Sequence, residues 1–226
     1  MIKHIIYFFM FVFICFPVFA DVCGEYKKTP EIKIVQSKHD VHVNLSNTDL
    51  WPKGGYVTVL PFGVFTPNIA YVFNGEYYCV YLDSVDATVG FKDFEIIIDK
   101  KYKNDACKYN AILAHEKHHV SDSENALKDI FPEIQKTLRD VANSVKPIYV
   151  DDNKYLSATF DSIQNQIMKN EKLLGLMDKF KARQAADAKI LDDSPDENLQ
   201  KCTTNKIKTR LKKYFNKKIV PRPKKK

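Results

Sequence analysis

Residues 115–119 read His115-Glu116-Lys117-His118-His119. His115, Glu116 and His119 make the pattern His-Glu-x-x-His. On an α-helix, residues four apart lie one turn apart on the same face. Two imidazoles so placed can hold one tetrahedral Zn²⁺ and leave room for a third ligand and a water. Glu116, beside the first imidazole, can take a proton from that water, whose pKa zinc lowers to about 7. The spacing therefore predicts a zinc centre with His115 and His119 as ligands and Glu116 as general base. The competing reading is a charged surface helix with coincidental histidines.

A helical wheel separates the residues further. With Ile112 at zero, Leu113, Val120, Leu127, Ile130 and Phe131 fall between about 0° and 100° and form a core face. His115 and His119 fall at about 300° and 340°, together at the edge of that face. His118 falls near 240° and reads as a bystander. Asp122, near 280°, lies one turn beyond His119 and is the first candidate for a third ligand. Asp151 and Asp152 are the next candidates, if the chain folds back after Pro132. His39 and His42 read as ordinary residues of a strand and its approach.

The surrounding elements must position this helix. Residues 31–36 and 40–45 alternate apolar and polar and read as strands. Gly54-Gly55 predicts a turn, followed by a strand over 56–60. Asn74-Gly75 is a hairpin signal between 71–73 and 77–82. Gly90 breaks the chain before the apolar strand 94–99. Asn104 or Asp105 can cap a helix over about 106–131, which Pro132 ends. Further helices are predicted over about 132–145 and 156–191, with a short last one starting near 194–197. Strands followed by helices predict an α+β fold, with an N-terminal antiparallel sheet packed against the His-Glu-x-x-His helix and further C-terminal helices.

The stretch Cys107-x-Tyr109-x-Ala111-Ile112-Leu113-Ala114-His115-Glu116-x-x-His119-Val120 resembles the zincin metallopeptidases and bacterial secreted proteins predicted to be zinc proteases. The resemblance covers roughly residues 76–131. It implies His115 and His119 as ligands, Glu116 as catalytic base, Zn²⁺ as cofactor, and a peptide or protein as substrate. It also implies an edge strand that aligns extended substrate, here residues 94–99. The chain departs from the metzincin pattern, with no third His or Gly at the required spacing. It also lacks a clear downstream Glu helix of the thermolysin type.

The chain has 226 residues, 45% hydrophobic and 28% charged, enough for one good domain. Met1 and Lys3 precede an apolar run to Phe19, and Val18-x-Ala20 suits a cleavage site before Asp21, so residues 1–20 read as a secretory signal peptide. A secreted or periplasmic protein follows. Cys23, Cys79, Cys107 and Cys202 then predict two disulfides with three possible connectivities. Cys79–Cys107 with Cys23–Cys202 is the favoured pairing.

The formal net charge is +7, unevenly spread. Residues 201–226 carry twelve Lys or Arg and no Asp or Glu, whereas residues 21–200 carry 22 basic and 28 acidic residues, a net of −6. The chain thus divides into a signal (1–20), an α+β domain (21–200) and a basic tail (201–226). The tail suits an anionic envelope surface or a solvated end; nucleic acid is not expected after export. The expected function is a secreted zinc metallopeptidase. The alternative is a non-catalytic envelope or polyanion-binding protein with a structural or vestigial metal site.

Overall fold

The computed structural model describes residues 22–50 and 54–218. The expected signal peptide with its cleavage site, and residues 219–226 of the tail, lie outside the described residues. The fold is α+β: strands dominate the first half and helices the second.

Strands β1 (Glu31–Gln36), β2 (Val41–Ser46), β3 (Gly55–Thr58), β4 (Pro61–Phe73), β5 (Tyr78–Phe91) and β6 (Phe94–Asp99) precede the helices. A short β7 (Ile148–Val150) comes later. They form two sheets, ordered β1-β5-β4, with β7 also on β5, and β2-β6-β3. The expected single antiparallel sheet is corrected to two mixed sheets, because each holds one parallel pair, β1 with β5 and β2 with β6. The two pairs share one register: Glu31 faces Ser84 and Ser46 faces Asp99, the same offset throughout. The strands thus behave as ribbons that pass from one sheet to the other at a corner. Ser37 pins the corner, its Oγ donating to the Phe91 carbonyl and accepting from the Phe91 N–H, both at 2.9 Å. A Cβ on Gly90 would come within 2.0 Å of that hydroxyl, so only glycine fits there.

The Asn74-Gly75 signal is a hairpin, and its strands run much longer than expected. Asn74 Oδ1 accepts the N–H groups of Glu76 and Tyr77, and Gly75 has φ +102°. Among the described residues β4 is an edge strand, which is why it tolerates Pro61 and Pro67. β5 and β6 are central and supply the fully buried Val80, Val89, Phe91, Phe94, Ile96 and Ile98.

Helix α1 runs from Ala106 to Ser144 and contains Pro132. The expected stop at Pro132 is therefore corrected. Proline in a helix interior costs about 3 kcal/mol, but buried residues on both sides, Ile130, Ile134, Leu138 and Ala142 among them, hold the helix to the core. The expected helix over 156–191 is two, α2 (Leu156–Met168) and α3 (Glu171–Asp193). Asn170 makes the break, its Oδ1 accepting from the Lys172 N–H at 3.1 Å. The last helix, α4 (Glu197–Lys218), starts where expected, is long rather than short, and runs through residue 200 into the basic segment.

The disulfides are Cys23–Cys79 and Cys107–Cys202, which corrects the favoured pairing. Chain direction explains both. Cys23 precedes β1, which runs parallel to β5, so it arrives beside Cys79 near the start of β5. Contacts between α3 and α1 bring the chain back to the first half of α1, and α4 then meets the first turn of α1 at Cys107. Two disulfides fit a secreted or periplasmic protein. Among the described residues no helix is long and apolar enough to cross a membrane.

Candidate metal centre

The His-Glu-x-x-His segment lies on α1 with Gly55 of β3 against Glu116 on one side and Asp192 of α3 against the histidines on the other. Helical period sets His115 and His119 side by side, their rings 4.9 Å apart and nearly perpendicular at 83°. A third group enters from α3. Asp192 Oδ1 lies 3.4 Å from His115 Nε2 and 3.2 Å from His119 Nε2. The three ligand atoms lie within 4.8 Å of one another, so the group could hold a metal ion.

Two imidazoles and one carboxylate are a donor set that suits a divalent transition-metal ion such as zinc. Two ligands each about 2.05 Å from a tetrahedral zinc lie about 3.3 Å apart, which matches the two His–Asp separations. The site is sheltered but reachable, with side-chain exposures of 16% for His115, 8% for His119 and 28% for Asp192. A cleft of about 390 Å³ opens beside it, walled by Ala111, His115 and His118 of α1 and by the α3–α4 corner from Ser194 to Asn198.

Asp192 owes its place to the alignment of α3 with α1. Lys179 pairs with Glu133 and Arg183 with Asp129, and Gln184 Nε2 donates to Ser123 Oγ. These contacts descend α1 as α3 advances, so the end of α3 arrives at the level of the histidines. The last turn of α3 carries Asp192 and Asp193 and no basic residue. Carboxylates there oppose the helix macrodipole, which favours cations at that end. That mismatch is the one sequence signal that could have pointed to Asp192.

Glu116 is buried at 2% exposure, on the side of α1 that meets β3. A Cβ on Gly55 would lie 3.1 Å from Glu116 Oε1 and 2.7 Å from Ile112 Cγ2. Glycine at 55 is what lets strand and helix approach this closely. Among the described residues β2 and β3 each pair with β6 alone, so both are edges of this sheet, and β3 is the edge that lies against Glu116. The expectation that residues 94–99 form the substrate-aligning edge is corrected: β6 is flanked by β2 and β3.

The other candidates lie elsewhere. Asp122, expected as third ligand, is not in the His115–His119–Asp192 group. It lines a neighbouring cleft with His118, Asn125 and Arg183. Asp151 and Asp152 depended on a fold-back at Pro132 that does not occur. Ser144 is 25 residues beyond His119 on the same helix, a rise of about 37 Å. Asp152 instead accepts the Lys154 N–H at 2.9 Å and pairs with the Lys154 ammonium, which holds its carboxyl below the usual range. His118 is exposed. His39 packs on Phe91 and Phe94 and contacts Glu124 Oε1 at 2.9 Å.

A second group with the same ligand types consists of Asp40, His42 and Asp93, all exposed. Asp93 accepts the Asp40 N–H at 2.9 Å and lies 3.6 Å from His42 Nε2. Chiefly that backbone bond, then His42, lowers the Asp93 pKa. Comparison with family models, curated proteins and solved structures returns no match for this chain.

Proposed function

We propose that this protein is an exported zinc-dependent peptidase of zincin-like type, with His115, His119 and Asp192 as the metal ligands and Glu116 as the general base. The observation that carries the reading is the arrival of Asp192 from α3 between the two histidines of α1. Zinc, when bound, supplies Lewis acidity: it polarises a carbonyl and acidifies water. The two imidazoles and the Asp192 carboxylate hold the ion. Glu116, between the ligand helix and β3, accepts a proton and returns it to the leaving amine. β3 is an edge strand among the described residues, so an extended peptide could add to its outer side as a further strand. The cleft beside His115 receives side chains of that peptide.

The depth of Glu116 favours a second reading. A carboxylate this buried also suits a structural centre that fastens α3 to α1, in a protein that binds rather than cleaves. One pair of variants separates the two. Wild type and Glu116→Gln should each retain one equivalent of zinc, by metal analysis after dialysis, and His119→Ala should lose it. Hydrolysis of a peptide library should fall by about 100-fold or more in Glu116→Gln, the scale of a lost general base. Zinc retained with no hydrolysis in wild type leaves the structural reading. Zinc content unchanged by His119→Ala rejects both.

A further inference from the structure

Helix α4 has two opposed faces. Cys202 joins it to Cys107 on α1, and Leu199 packs against the core. At about 100° per residue these two positions define an inward face. Ile207, Leu211, Tyr214 and Phe215 follow the i, i+4, i+7, i+8 spacing of one helical stripe. That stripe is centred about 140° from the inward face. Ile207, its one described side chain, is 54% exposed. By helical period positions 210 and 217 border the stripe on one side and 208 and 212 on the other; Lys218 continues the line of the stripe at the helix end, and Lys206 and Lys213 continue the line of the inward face. Lys208 and Lys212 are exposed.

We propose that this face of α4 docks on an anionic phospholipid bilayer. An apolar stripe bordered by basic residues is the pattern of a helix lying in the membrane interface, with aromatic and aliphatic groups inserted and lysine heads among the phosphates. A soluble polyanion would need the lysines but not the stripe. Charge complementarity also sets the orientation. Residues 21–200 carry a net of −6 and residues 201–226 carry +12, so an anionic surface attracts α4 and repels the rest. Asp196, Glu197 and Asn198, at the start of this helix, wall the metal-site cleft. Docking therefore holds that cleft within a helix length, about 33 Å, of the lipid. The proposal is independent of whether the centre is catalytic.

The test uses the exported chain, residues 21–226, sedimented with vesicles. Phosphatidylcholine vesicles containing about 30% phosphatidylglycerol should bind it at least tenfold more strongly than pure phosphatidylcholine, with about a fivefold contribution per basic side chain. Raising salt to about 0.5 M should weaken the binding. Lys208→Glu/Lys212→Glu should weaken it by roughly 20-fold or more. Leu211→Ser/Phe215→Ser should weaken vesicle binding about tenfold while leaving binding to soluble polyphosphate unchanged. Circular dichroism and thermal melting check that both variants stay folded. Equal binding to both vesicle types, or none to either, overturns the proposal. Vesicle binding indifferent to Leu211→Ser/Phe215→Ser, alongside tight polyphosphate binding, also overturns it and makes a soluble polyanion the partner.

Discussion

Among the described residues two places gather histidine and aspartate within reach of one ion, and they differ in everything but ligand type. His115, His119 and Asp192 come from two packed helices and are sheltered. Asp40, His42 and Asp93 come from strand ends at the sheet corner, and His42 and Asp93 are each more than half exposed. At the corner, the Asp93 carboxylate already has a backbone N–H and an imidazole beside it, and water solvates what remains. A cation there would displace good partners for little gain. Between the helices, one carboxylate oxygen faces two imidazoles in a partly desolvated site, where opposite charge is worth more. The comparison teaches that donor type alone does not make a metal site. On the proposed reading, shelter and the rigidity of the elements that bring the donors decide it.

The sharpest way to break that comparison is to remove one carboxylate from each group. Asp192→Asn should weaken zinc binding by more than about 100-fold, beyond the range for outer-shell partners. Asp93→Asn should change it by less than about twofold, within the usual scatter for exposed surface groups. Chelator competition measures both. Equal losses would mean that shelter is not the deciding factor.

The disulfides sharpen the same point. Cys107–Cys202 fastens the start of α4 to α1 just before the histidines, and the corner leading into α4 follows Asp192 directly. Cys23–Cys79 lies at the start of β5. Replacing either pair with serine should cost about 2–4 kcal/mol in chemical denaturation. Only Cys107→Ser/Cys202→Ser should also lower zinc affinity, by about tenfold, the size of a lost outer support. A matching loss in Cys23→Ser/Cys79→Ser would show general loosening instead.

The smallest expected effect concerns acid. The Lys101 side chain, then the N–H groups of Lys101 and Leu50, hold the pKa of Asp99 down at about 2. Lys101 also pairs with Asp49. A depressed carboxylate pKa adds stability above its unfolded value, near 4. That stability is lost as pH falls from about 4 to about 2. Thermal melts between pH 5 and 2 should therefore be less steep in Asp99→Asn, while Asp93→Asn should change the slope less. An unchanged slope in Asp99→Asn would remove Asp99 from the acid response.

Much of the site was legible because helical period is local. His115, Glu116 and His119 were placed on one helix from spacing alone, and the structure brings the two imidazoles together. Asp192 was not legible, because its position depends on how far α3 slides along α1. That register is set by contacts such as Arg183 with Asp129, which join residues distant in sequence. Pro132 misled for a related reason: local propensity counts the missing hydrogen bond but not the core residues that hold both halves of the helix. The break at Asn170 is the reverse case, where a local cap interrupts an otherwise continuous helical pattern.

Sequence alone determined the α+β order, the Asn74-Gly75 hairpin, the start of α1, the helix that pairs His115 with His119 and the uneven charge. Each depends on residues within one or two turns, or on counting. Tertiary structure decided which cysteines pair, which edge strand lies beside Glu116, where Glu116 is buried and which carboxylate meets the histidines. Those outcomes depend on how whole elements pack, and packing energies are summed over partners that no local window contains.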